Sequence, residues 1–194
     1  MTTGLRLLTV TIALSALPGC IDQPKAPYVN VHDLVTKLDE AGAVAKEGSA
    51  EEQYNLGVRY ERAYPQDHRE AVRWYRLAAM QRHVEAIYRL CLLSDIGRGM
   101  PQDYHEALRW CLLAADQGHG QAMYTIGTYY DKARAVTRDV VQAHRWYNLA
   151  AANGYEDGAK WRDRLALDMT PAQIAEAQLL ARNWKPQTHE LLQE

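Results

Sequence analysis

The sequence predicts an all-α solenoid of three helix-pair repeats, closed by a capping helix at each end. The segment DHREAVRWYRLAAMQR at 67–82 recurs as DYHEALRWCLLAADQG at 103–118 and as DVVQAHRWYNLAAANG at 139–154, a spacing of 36 residues. A fixed period of roughly 20–50 residues is the signature of stacked repeats. Each copy places apolar residues at helical spacing, at 107, 110, 111, 114 and 115 in the middle one, which makes one apolar helix face. Each copy also opens on an aspartate, Asp67, Asp103 or Asp139, with Glu70, Glu106 or Gln142 three residues on. That pattern predicts an N-capped helix start closed by a capping box.

The first nineteen residues are a separate object. Arg6 precedes the apolar run LLTVTIALSAL, too short for a membrane span and the right length for a signal-peptide core. The run ends at Leu17-Pro18-Gly19-Cys20, which resembles the lipobox of bacterial lipoproteins, with Pro18 where alanine or serine is usual. The resemblance implies that Cys20 becomes the acylated first residue of a mature protein anchored to the membrane. It also implies that the domain faces the periplasm, an oxidising compartment. Ile21 after the cysteine leans toward the outer membrane, and Asp22 beside it weakens that lean.

Residues 20–30 hold two prolines and little periodicity and read as a tether. Residues 31–49 keep the repeat register, with Val44-Ala45 where later copies have Ala78-Ala79, but carry Lys37 and Glu40 where those have alanine and tryptophan. They read as an N-terminal capping helix, since the end of a solenoid needs a more polar outer face. The three repeats span 50–156. Their first helices align Tyr54, Tyr88 and Tyr124, and Leu56, Leu90 and Ile126; Gly57 and Gly127 mark places where a partner helix comes close. Gly118 and Gly154 end second helices as left-handed caps, and Arg82 in the first copy predicts a different turn there. Residues 157–185 begin a fourth first helix and then restart at Thr170-Pro171-Ala172-Gln173, a strong helix start. The restarted helix reads as a lid over the last repeat, leaving 186–194 as a tail.

The pattern A-x-Y-x-L-G-x-x-Y, a G-x-G turn, P-x-D, then A-x-x-W-Y-x-x-A-A-x-x-G resembles the Sel1-like repeat, a relative of the tetratricopeptide repeat. AIYRLCLLSDIGRGMPQDYHEALRWCLLAADQGHGQA carries it best, and the likeness extends over roughly 44–184. It implies a right-handed superhelix whose concave face, formed by the first helices, binds another protein. By that analogy the binding residues are Glu51, Tyr54, Val58, Glu61, Arg62, Glu85, Tyr88, Leu92, Asp95, Gln121, Tyr124, Thr128 and Asp131. The acidic ones suit a partner with a basic face. The aligned tyrosines read equally well as repeat core.

Chemistry is sparse. The sequence contains no phosphate-binding glycine loop, G-x-S-x-G elbow or H-E-x-x-H, so no catalytic residue, metal or cofactor is predicted. His83 and His119 share a repeat position, but one repeat separates equivalent sites by about 10 Å, too far for one zinc. Formal charge is −2 from 22 basic and 24 acidic residues with no block of one sign, which argues against nucleic-acid binding. Cys91 stands where sister repeats have Gly57 and Gly127, and Cys111 where they have Tyr75 and Tyr147. Two readings stay open: compensating core volumes, or a disulfide within the repeat. Facing Cys91 with Ala107 puts the Cys91 and Cys111 Cα atoms near or beyond the roughly 7 Å bridging limit.

The function these features imply is a non-enzymatic, membrane-tethered binding module of the bacterial envelope. Small Sel1-like lipoproteins include immunity proteins against periplasm-acting effectors of type VI systems, such as phospholipases. Three repeats on one tether favour that one-partner role. The alternatives are an adaptor in envelope assembly or polysaccharide export, and a Sel1-like protein that binds or hydrolyses β-lactams or peptidoglycan. Hydrolysis would need a nucleophile, and Ser94 is the sole serine of the three repeats.

Overall fold

A computed structural model describes residues 48–186. Within them the chain forms α1 (Ala50–Arg62), α2 (His68–Met80), α3 (Val84–Ile96), α4 (Tyr104–Ala115), α5 (Gly120–Asp131), α6 (Val140–Ala152), α7 (Glu156–Ala166) and α8 (Pro171–Arg182). No strand occurs among the described residues. The leader, Cys20, the tether, the 31–49 cap up to residue 47 and the tail from 187 lie outside them. Each helix from α1 to α6 packs on the next, and α8 turns back onto α6. Contact with sequence neighbours alone is what makes the stack a solenoid.

The second helices start as their aspartates dictate, with one difference. Asp67, Asp103 and Asp139 each accept two backbone N–H groups, from Arg69 and Glu70, His105 and Glu106, and Val141 and Gln142. The expected capping boxes do not form at these three positions. The backbone N–H of each aspartate already donates to a carbonyl of the preceding first helix, on Tyr60, Ser94 and Tyr130. Nothing is left for the third residue to satisfy. Glu70 instead binds Arg73, Glu106 accepts from the Trp110 indole, and Gln142 holds Arg145. Complete boxes occur where no such carbonyl is supplied, at Ser49 with Glu52 and at Thr170 with Gln173.

The turn after α2 corrects a second expectation. Arg82 does not change it: Arg82 takes φ 62°, beside 83° at Gly118 and Gly154, and the same pair of backbone bonds follows at all three. A side chain in the left-handed region costs about 1–2 kcal/mol, so the repeat geometry overrides local preference there.

The glycines of the first helices face side chains rather than a helix backbone. A Cβ on Gly57 would lie 2.6 Å from Tyr75 Cε1, and one on Gly127 would lie 2.6 Å from Tyr147 Cδ1. Positions 57 and 75 are thus direct contacts, as are 127 and 147. Their equivalents in the middle repeat are Cys91 and Cys111, which form a disulfide with Cα atoms 5.3 Å apart. The expectation of a spacing near 7 Å rested on pairing Cys91 with Ala107; its true opposite is residue 111. A ring on a glycine and a disulfide are two ways to fill one gap between paired helices.

The core runs through the stack. Ala71, Ala78, Ala107, Ala114, Ala143 and Ala150 are fully buried and let the helices approach, while Trp74, Trp110 and Trp146 are almost enclosed. At the far end α8 buries Ala177 and Ala181, and Trp184 meets Trp146 edge-on with ring centroids 6.0 Å apart.

Candidate partner-binding face

The first helices α1, α3 and α5 project one row of residues per repeat position. Glu51 and Glu85 stand in the first turns, and each reaches a histidine that begins the next first helix. Glu51 Oε2 lies 2.9 Å from His83 Nε2, and Glu85 Oε1 lies 3.1 Å from His119 Nε2. The opposite ring nitrogens are occupied: His83 Nδ1 accepts the Ala86 N–H, and His119 Nδ1 accepts the Ala122 N–H. A ring that caps with Nδ1 carries its proton on Nε2 and donates it to the carboxylate. The bond from His83 holds the Glu51 carboxyl below the ordinary range, with Asn55 adding to it. These histidines are N-caps and inter-repeat ties, a role their sequence spacing did not reveal. Among the described residues no group of three or more histidine, cysteine or carboxylate side chains is placed to hold a metal.

The aligned tyrosines complete the ties. Tyr54 stacks on His83 with centroids 4.5 Å apart, Tyr88 tilts onto His119 at 4.4 Å, and Tyr124 meets Tyr155 at 5.1 Å. Tyr88 is only 8% exposed, and its hydroxyl sits 3.4 Å from Thr125 Oγ1. Burial raises its phenol pKa. Tyr88 packs in the repeat core, the second of the two readings its alignment left open. Tyr54 and Tyr124 remain half-buried.

Nor do the carboxylates form a free acidic groove. Glu61 accepts from the Tyr75 hydroxyl at 2.5 Å and faces Arg89 at 3.7 Å. Asp95 accepts from the Tyr129 hydroxyl at 2.6 Å and faces Arg134 at 3.4 Å. Asp131 pairs with Arg138 at 3.4 Å. Because Cys111 removes the tyrosine that would reach Asp95 within its own repeat, Tyr129 of the next repeat serves it. What the face leaves uncommitted is a half-exposed row, Val58, Leu92 and Thr128, with Arg62 and Gln121 exposed around it. Thr128 spends its hydroxyl on the Thr125 carbonyl, so toward solvent the row is chiefly apolar.

Comparison with protein families matches the Sel1 repeat three times, at residues 53–83, 84–119 and 120–155. The chain belongs to the Sel1 repeat family. Those boundaries coincide with the His83 and His119 caps and with Tyr155. Among solved structures it is similar to a protective antigen present in uropathogenic Escherichia coli strains displaying an SLR fold, with 30% identity and a TM-score of 0.69 over 75% of this chain and 32% of that one. It is also similar to a Sel1 repeat protein from Oxalobacter formigenes, with 25% identity and a TM-score of 0.62 over 76% of this chain and 63% of that one. The chain thus spans about a third of the first relative and under two thirds of the second. No curated protein sequence matches it. A Sel1-repeat solenoid is a scaffold for protein–protein interaction, and this chain is such a module.

Proposed function

We propose that the chain is a lipid-anchored, non-catalytic module of the bacterial periplasm that binds and neutralises one secreted antibacterial effector. The observation that carries this reading is the Cys91–Cys111 disulfide in the central repeat. Such bridges persist in oxidising compartments and are rare in the cytosol, so the bridge supports export independently of the leader and Cys20. Three repeats on a single tether suit one compact partner better than a multi-protein assembly. Ser94, the nucleophile a hydrolase would need, is fully buried and donates to the Asp103 carbonyl at 3.0 Å, which favours binding over hydrolysis.

Two measurements test this. Cys20→Ser should release the protein from the membrane fraction or leave its precursor unprocessed; normal mature mass in the membranes would remove the anchor. The mature domain should capture one stoichiometric toxin from an envelope extract, identified by mass spectrometry. Leu92→Glu should abolish capture with the fold intact, while Arg76→Glu on α2 should not. Capture of several assembly proteins would favour the adaptor role instead.

A further inference from the structure

The charge that the first helices offer a partner differs from what their composition suggests. Glu61, Asp95 and Asp131 each have an arginine of the chain, and the first two also take a tyrosine hydroxyl. Glu51 and Glu85 are held by the rings of His83 and His119. Against these committed carboxylates stand Arg62, the last residue of α1, and Lys132, the C-cap of α5, both exposed. Neither side chain enters an ion pair or a hydrogen bond among the described residues.

Both cations share a register with an apolar side chain. Counting on from the aligned Tyr54, Tyr88 and Tyr124, the fourth residues are Val58, Leu92 and Thr128, and the eighth are Arg62, Ile96 and Lys132. Residues four apart lie on one helix face, so Leu92 and Ile96 are neighbours along α3. Ile96 is 50% exposed, and Leu92 and Val58 are half-buried. The three first helices stand side by side: Glu61 of α1 reaches Arg89 of α3, and Asp95 of α3 takes the Tyr129 hydroxyl of α5. Packed helices lie about 10 Å apart, so the apolar patch of the middle repeat has an uncommitted cation on each flank. The carboxylates that no cation neutralises, Glu51 and Glu85, belong to the opposite ends of their helices. Three turns separate Glu85 from Ile96, about 16 Å along the axis. That exceeds the roughly 8 Å over which exposed charges act at physiological salt.

We propose that this face binds an acidic segment of the protein partner: an extended stretch crossing the first helices, with one large apolar residue between two carboxylates. The apolar side chain lies on Leu92 and Ile96, and the carboxylates reach Arg62 and Lys132. Alternate residues of an extended chain share one face and stand about 6.6 Å apart. The long arginine and lysine side chains span what remains of each repeat spacing. The inference rests on the binding-module reading, and it gives the partner the charge opposite to the basic face that the sequence implied.

The test uses the full chain and a probe, the acetylated and amidated pentapeptide Glu-Ala-Leu-Ala-Glu. The controls replace both glutamates of the probe by glutamine or by lysine. The readout is the methyl resonances of Leu92 and Ile96 on titration. The acidic probe should saturate on the order of 1 mM, and neither control should. Binding should weaken several-fold as salt rises, because the cations are exposed and screened. Ile96→Gln should weaken it about fivefold. Arg62→Glu combined with Lys132→Glu should weaken the acidic probe at least about tenfold and confer binding of the lysine probe. Both side chains are exposed, so the double variant keeps its fold. No saturation by ~20 mM, an equal response to the glutamine probe, or tighter binding of the lysine probe by the wild type would overturn the proposal. A single partner captured through Leu92 with no response to the acidic probe would overturn it too and leave the functional reading standing. Probe binding that follows the charge reversal, with no single partner captured, would support this site and count against the functional reading.

Discussion

Breaking the disulfide between α3 and α4 should cost about 3 kcal/mol. The bridge joins residues separated by 20 in sequence. The chain entropy it removes from the unfolded state grows with the logarithm of loop length, which for roughly twenty residues gives about 3 kcal/mol. Both cysteines are fully buried, so reduction leaves two thiols in nearly the same volume and packing changes little. The assay is urea unfolding with and without reductant, after full reduction under denaturing conditions. The reduced protein should show a lower midpoint and a steeper slope, because an unlinked unfolded chain exposes more surface. Cys91→Gly with Cys111→Tyr copies the packing of Gly57 on Tyr75 without the crosslink. That double variant should match the reduced protein and ignore the reductant. A free-energy change under about 0.5 kcal/mol on reduction would refute the reasoning. So would three reactive thiols in the unlipidated, denatured and unreduced chain, where Cys20 alone of the three cysteines should react.

Tyr88→Ala should cost about 3 kcal/mol of stability in chemical unfolding, because the ring fills the joint between the second and third repeats; an unaltered midpoint would return Tyr88 to the surface. Arg82→Gly should stabilise by about 1 kcal/mol, since glycine adopts φ 62° without strain; thermal unfolding reads the gain, and a loss would mean that the arginine holds the turn by other means. His144 on α6 is buried, and its Nδ1 has no partner. Burial first and Arg162 second push its pKa down, with Asp163 opposing. A depressed imidazole favours the neutral form in the folded state, so its contribution is complete above the unfolded pKa of about 6.5 and is lost as pH falls below it. Urea midpoints between pH 7.5 and 5 should therefore fall more steeply for the wild type than for His144→Gln.

The repeat period made the fold legible: equal spacing of Trp74, Trp110 and Trp146 identifies equivalent positions, and the aspartate caps mark where second helices begin. Period alone is silent about which positions oppose each other across a helix pair. That silence explains the misplaced partner of Cys91 and the reading of Tyr88 as a surface anchor. The same limit hid His83 and His119, whose caps and carboxylate ties depend on ring orientation between repeats. It also hid the fate of the groove carboxylates, because a charged residue on an outward helix position looks free until its neighbours are in place.

One signal for the cross-helix pairing was nonetheless present in this single chain. Position 57 and its equivalents read glycine, cysteine, glycine; position 75 and its equivalents read tyrosine, cysteine, tyrosine. Two positions that change together, one gaining volume as the other loses it, are in contact if the gap between the helices is constant. Close packing requires that constancy, since interiors tolerate neither voids nor overlap. Internal repeats thus act as three solutions to one packing problem.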